Sequence, residues 1–320
     1  MRKLHRVLGF TLLLAGTATW STAAPPQGTE AEAQARAALA PHTPLLVGPP
    51  HFYPRNEVDR SDDPDDAAKR FHPSRDILMT YHGGAVLTSS KTVAIFWGPD
   101  WNDPAFANDI VTGIDTLLGA FGDSRYAASS TEYTGSNGRV TRSSTYLGHM
   151  IDPSPVPAQP LAVDMVGSEA CKMANDNPDP DALYLVYTST GAGRVRFCAY
   201  HSYGFCRGGA PIQIAFMPNL AGVAGCDIQD RWTGHSEPLS ALANATAHEL
   251  SEVITDPRGG GWYDGRNGEN GDKCAYSFLG PVTLNDGSVW KLQMLWSNRA
   301  YGTASGAPNL IRQRGCIQGR

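Results

Sequence analysis

Residues 238–257 read PLSALANATAHELSEVITDP, and they hold both the clearest helix and the clearest chemistry of this 320-residue chain. Ser236 is placed to cap the helix, and Pro238 is tolerated in the first turn, where its missing N–H costs little. Leu239, Leu242, Ala243, Leu250, Val253 and Ile254 form an apolar stripe suited to packing on a sheet. Pro257 and Gly259-Gly260-Gly261 end the run. His248 and Glu252 are four apart, so they share one helix face, with Glu249 beside them. In an H-E-x-x-H helix the i and i+4 side chains grip one metal ion and the i+1 Glu serves the bound water as general base. Here the fourth position is Glu, a harder ligand, which widens the choice of divalent ion beyond zinc.

A third ligand has to come from elsewhere. The segment 261–274, GWYDGRNGENGDKC, has the glycines to double back under the helix. Asp272 is the first choice, with Glu269 close behind; Asp256, at i+8, is a further ligand or supporting carboxylate. His201 is a weaker candidate because it sits next to a cysteine expected in a disulfide. Tyr263 is the expected donor to a developing oxyanion. His82, in a turn-like Tyr81-His82-Gly83-Gly84, and His149 are read as structural, and His42, His51 and His72 fall in the unstructured stretch. A His and two Glu on one helix face are also what an ordinary solvated surface offers. No Gly-x-Ser-x-Gly elbow is present, so a covalent serine nucleophile is not supported.

Outward from the helix, Val93–Trp97, Leu183–Tyr187 and Ile212–Phe216 are short apolar runs suited to buried strands. Residues 103–121 read as a second helix, with Asp103 as cap and Ile110, Ile114, Leu117 and Leu118 on one stripe. The expected class is α/β or α+β: a zincin-like mixed sheet packed by the HExxE helix, in one disulfide-bonded domain over residues 77–320. Residues 25–76, rich in Pro, Ala, Asp and Glu, are expected to be a low-complexity linker or pro-segment. Residues 1–24 carry Arg2, Lys3 and Arg6, an apolar core and Ser21-Thr22-Ala23-Ala24, the pattern of an export signal too short to span a bilayer.

Removing that signal takes the formal charge from −5 to −8, because its three basic residues leave with it. An acidic chain of this kind excludes nucleic acid as a natural partner. All six Cys (171, 198, 206, 226, 274, 316) lie in the exported part, which fits disulfides in an oxidising compartment; six cysteines allow fifteen pairings.

Several blocks together resemble the Exordium, or phosphate-induced-protein, family of secreted proteins. Tyr81–Leu87 with Val93–Gly98 is similar to its opening, and 183–187 with Phe197-Cys198-Ala199-Tyr200-His201 to its middle. Ala247–Pro257 with Gly261–Asp264 and Gly271–Cys274 is similar to its most distinctive block, and Leu295–Asn298 with Cys316 to its end. The resemblance spans about residues 77–320 and implies a secreted or wall-associated protein, linked in plants to growth signalling, with no settled biochemical activity. Members whose helix lacks the His-Glu pair exist; this chain keeps it.

Two functions follow as expectations. The first is a secreted metal-dependent hydrolase, zinc its first ion, acting on peptide bonds. The ion is held by His248, Glu252 and Asp272 or Glu269, with Glu249 as base. The second is a non-catalytic extracellular binding protein for cell-wall polysaccharide or another protein, for which six exported Trp and twelve Tyr supply aromatic surface.

Overall fold

The computed structural model describes residues 42–56, 78–157 and 159–319. The expected signal sequence and most of the expected linker lie outside the described residues.

Seven strands form the main sheet: β1 (Leu45–Leu46), β2 (His51–Pro54), β3 (Ser90–Trp97), β4 (Ser144–Asp152), β5 (Ala182–Thr188), β6 (Phe197–Phe205) and β7 (Pro211–Met217). Their order is β1-β6-β7-β5-β3-β4, with β2 also paired to β6. β4, β3, β5 and β7 run parallel to one another, and β6 turns antiparallel to β7. The sheet is therefore mixed and the class is α/β. The central strands are near-continuous apolar runs because both faces are covered. Ala94 and Phe96 of β3 point into the larger core, while Val93, Ile95 and Trp97 point into the second.

On the larger core lie α1 (Ile110–Phe121) and α3 (Glu237–Thr255); on the other face lies α2 (Val163–Met173). Ile114 and Leu117 of α1 are fully buried, and each such side chain contributes roughly 1.5–3 kcal/mol. The single helix expected over 103–121 is broken. Asp103 caps only the short turn Pro104–Ala107, accepting from the Ala105 N–H at 2.9 Å, and Asn108 then takes φ 44°, which no α-helix continues.

The domain boundary also differs from the expected residue 77. His51, Phe52 and Tyr53 are aromatic residues bounded by prolines, and they pair antiparallel with β6, His51 opposite His201. Leu45 and Leu46 extend that pairing. Together they cover an edge of β6 that would otherwise present unpaired backbone groups. Tyr53 is buried, which this short segment achieves by borrowing the core of the main domain.

The six cysteines form the disulfides Cys171–Cys206, Cys198–Cys226 and Cys274–Cys316. No described helix is long and apolar enough to cross a membrane.

Candidate metal centre

α3 has no solvated face: every residue from Leu239 to Thr255 is buried. Ser236 caps it by accepting from the Leu239 N–H. Its polar residues therefore need partners inside the protein. Thr246 meets the Tyr187 hydroxyl at 2.8 Å, and Ser251 donates back to the Ala247 carbonyl.

The remaining polar residues join side chains from four elements in one cluster. α3 brings His248, Glu249 and Glu252; β6 brings His201 and β2 brings His51; the loop after α3 brings Glu269 and Asp272. His248 Nε2 lies 3.1 Å from Glu252 Oε1 and 3.7 Å from Asp272 Oδ1. His201 Nδ1 lies 2.8 Å from Glu249 Oε2 and 3.5 Å from Glu252 Oε2, and its Nε2 is 3.6 Å from Glu269 Oε1. His51 Nδ1 is 3.0 Å from that same Glu269 oxygen. Glu252 thus faces His248 with one oxygen and His201 with the other. Solvent reaches the cluster at Asp272 and His51, whose side chains are 26% and 19% exposed; the other five are at most 3% exposed.

The loop approaches the helix because Gly271 lacks a side chain. A Cβ there would sit 2.8 Å from His248 Nδ1 and 2.9 Å from Glu252 Oε1. The Asp272 N–H donates to Glu252 Oε1 at 2.9 Å, and Asn270 donates to the Ser251 carbonyl. Asp264 shapes the loop by accepting from the N–H groups of Arg266 and Gly268, and a buried ion pair at 3.0 Å ties it to Lys273. The Cys274–Cys316 disulfide anchors the far side. Behind His248 runs a chain of neutral partners. The Gln293 side-chain N–H₂ donates to His248 Nδ1 at 3.0 Å and to the Gly271 carbonyl at 2.8 Å. Gln293 N donates to Asn244, whose amide donates to the Tyr53 hydroxyl, and the Tyr53 ring lies 4.1 Å from the His248 ring.

Four carboxylates in so small a buried volume repel one another, by about 4 kcal/mol per ionised pair 4 Å apart at an effective dielectric of 20. Glu249 and Glu252 also lie in the last two turns of α3, the negative end of its dipole. Burial, reinforced by the neighbouring acidic groups, pushes Glu252 and Asp272 well above the usual carboxylate range. Burial holds the His248 imidazole below its ordinary value. For His201 burial acts in the same direction, but the Glu269 and Glu249 carboxylates outweigh it and raise the ring well above its ordinary value. His201 in turn, with His51, overcomes the burial of Glu269 and lowers it. The cluster demands positive charge, supplied by protons or by a cation.

Four buried atoms show where that demand is unmet. His248 Nε2, Glu249 Oε1 and both Glu269 carboxylate oxygens have no hydrogen-bond partner among the described residues. Imidazole and carboxylate donors suit zinc and other divalent ions, and ligand atoms about 3.3 Å apart are what roughly 2 Å bonds in a tetrahedral shell produce. The donors present therefore fit a divalent ion. Ligation through His248 Nε2 requires the proton on Nδ1. The Gln293 amide must then turn over so that Oε1, which has no partner among the described residues, accepts from it, and the bond to the Gly271 carbonyl is given up.

Other residues singled out in the sequence take different places. Asp256 closes the turn after α3, accepting from the Gly260 and Gly261 N–H groups at 2.8 Å. Tyr263 pairs with Thr80 in a two-stranded ladder and stacks on His82, ring centroids 3.5 Å apart; among the described residues its hydroxyl makes no bond to the cluster. His149 pairs with Asp115 at 2.9 Å, and His42 with Asp176. His51 is the residue that sequence reasoning missed. Its signal was the His-Phe-Tyr run between prolines, too short to outweigh the polar composition around it. Gln293, in a strand-poor C-terminal region, carried no signal at all.

Fold and site together define a three-disulfide α/β protein with a buried histidine–carboxylate cluster, and those disulfides are the chemistry of an oxidising, extracellular setting. No family model matches the chain. It is similar to Protein EXORDIUM-like 5 of Arabidopsis thaliana, 25% identical over 250 residues, covering 65% of this chain and 67% of that protein.

Proposed function

We propose that this Exordium-like protein is a secreted, zincin-like metal-dependent hydrolase acting on peptide bonds. The observation that carries the reading is the convergence of His248, Glu252 and Asp272 within ligand spacing of one another, His248 Nε2 being buried and unpartnered among the described residues. A divalent ion held there, zinc first, supplies Lewis acidity toward a carbonyl and toward water. Glu249 keeps its Oε2 on His201 and leaves Oε1 free to take a proton from attacking water and pass it to the leaving amine. The exposed edge of Asp272 is the side from which substrate reaches these groups.

The test is a pair of measurements on the purified secreted chain. Elemental analysis is expected to find a divalent ion that His248→Ala removes. Cleavage of a mixed peptide library, read by mass spectrometry, is expected to fall at least 100-fold in Glu249→Gln, the usual scale for a lost general base. Unchanged cleavage in that variant would remove Glu249 from the chemistry. The depth of the cluster favours a second reading, in which the ion is structural and pins α3, β2 and the loop. An ion that raises the melting temperature of a chain that cleaves nothing would establish it.

A further inference from the structure

We infer that His51, His201 and Glu269 form a second divalent-cation site, distinct from the His248, Glu252 and Asp272 set. The inference goes beyond the proposed function and rests on it only in treating the cluster as a cation centre.

His201 is buried, and its Nδ1 is hydrogen-bonded at 2.8 Å to Glu249 Oε2. That contact turns Nε2 toward Glu269 Oε1 at 3.6 Å, a separation too wide for a hydrogen bond and close to that of two ligands on one divalent ion. A carboxylate fixing the tautomer of a histidine whose other nitrogen binds metal is the recurring support of such sites.

His51 completes the set. Its ring stacks on that of His201, centroids 5.0 Å apart and planes within 8°, and its Nδ1 stands 3.0 Å from Glu269 Oε1. The ligand atoms of all three residues lie within 4.8 Å of one another. Both carboxylate oxygens of Glu269 are buried, and among the described residues neither makes an aligned hydrogen bond, although the His51 and His201 nitrogens stand close to Oε1. A carboxylate without an aligned hydrogen bond at either oxygen in the interior is a ligand awaiting its ion. Register explains how a residue so distant in sequence arrives: His51 sits directly opposite His201 in the β2–β6 ladder.

The test uses the full chain, stripped with chelator and titrated with zinc alone, counting bound ions by elemental analysis after gel filtration. Wild type is expected to hold two per chain. Glu269→Gln, which keeps the side-chain volume, and His51→Ala are each expected to hold one. His248→Ala is expected to lose the other ion and keep this one. Thermal unfolding of the stripped proteins separates lost binding from lost folding: a purely structural His51 lowers the melting temperature and leaves the ion count unchanged. A count that Glu269→Gln and His51→Ala do not alter overturns the inference, as does wild type holding no zinc. An ion lost in those two variants and kept in His248→Ala upholds the second site even if the first reading fails.

Discussion

Gly271→Ala separates a spatial argument from a backbone one. Gly271 has φ −72° and ψ −47°, ordinary right-handed values that alanine adopts freely. On backbone grounds alone the substitution stabilises by about 0.4–1 kcal/mol, because it narrows the unfolded ensemble. Space reverses the sign. The new methyl would meet His248 Nδ1 at 2.8 Å, Glu252 Oε1 at 2.9 Å and His248 Cε1 at 3.0 Å, closer than a Cβ tolerates. Neither neighbour is free to yield: the His248 ring is covered by Tyr53 and held by Gln293, and Glu252 Oε1 accepts from the Asp272 N–H. Overpacking of this kind costs about 1–3 kcal/mol, and displacing the loop breaks the Asp272–Glu252 hydrogen bond, worth about 0.5–1.5 kcal/mol. Net destabilisation of about 1–3 kcal/mol is expected, a fall in melting temperature of roughly 3–12 °C for a domain this size. Urea unfolding followed by circular dichroism reads the free energy, and zinc content reads the loop. A variant as stable as wild type, with its zinc intact, refutes the close approach of loop to helix.

Breaking the Cys274–Cys316 disulfide by paired Ser substitution should cost about 2–5 kcal/mol and loosen zinc more than it loosens the sheet, read by unfolding and metal titration. Glu169 offers a pH test far from the cluster. Burial, with Asp152 nearby, raises its carboxyl to about 7 despite its contact with Lys172. Between about pH 4.5 and 7 the native state then holds a proton the unfolded state has lost, so this group's contribution to stability falls as pH rises. Glu169→Gln should flatten that slope by about 1–2 kcal/mol after screening, and an unchanged difference between wild type and variant from pH 4 to 8 contradicts it.

What the chain discloses in one dimension follows from local rules. The i,i+4 spacing alone puts His248 and Glu252 on one helix face. Ser236, Pro238 and Pro257 mark where that helix begins and ends, and three apolar runs identify three central strands. Those signals come from neighbours within a few residues, so no tertiary contact is needed to read them. Asp272 and Glu269 were legible as a glycine-rich acidic loop, but not which histidine each would face. The helix's exposure was illegible altogether: a His and two Glu look solvated until Gln293, Tyr53 and residues 264–274 close over them. His51 shows the limit most plainly. Its segment is short and proline-flanked, with too little apolar surface to fold alone, and only pairing with β6 gives it a core to enter and His201 to stand against. Sequence by itself determined the helix, the strands and the chemical types at the site. The burial that turns those types into an electrostatic demand for positive charge was decided only when four elements, two of them distant in the chain from the helix and its loop, packed against one another.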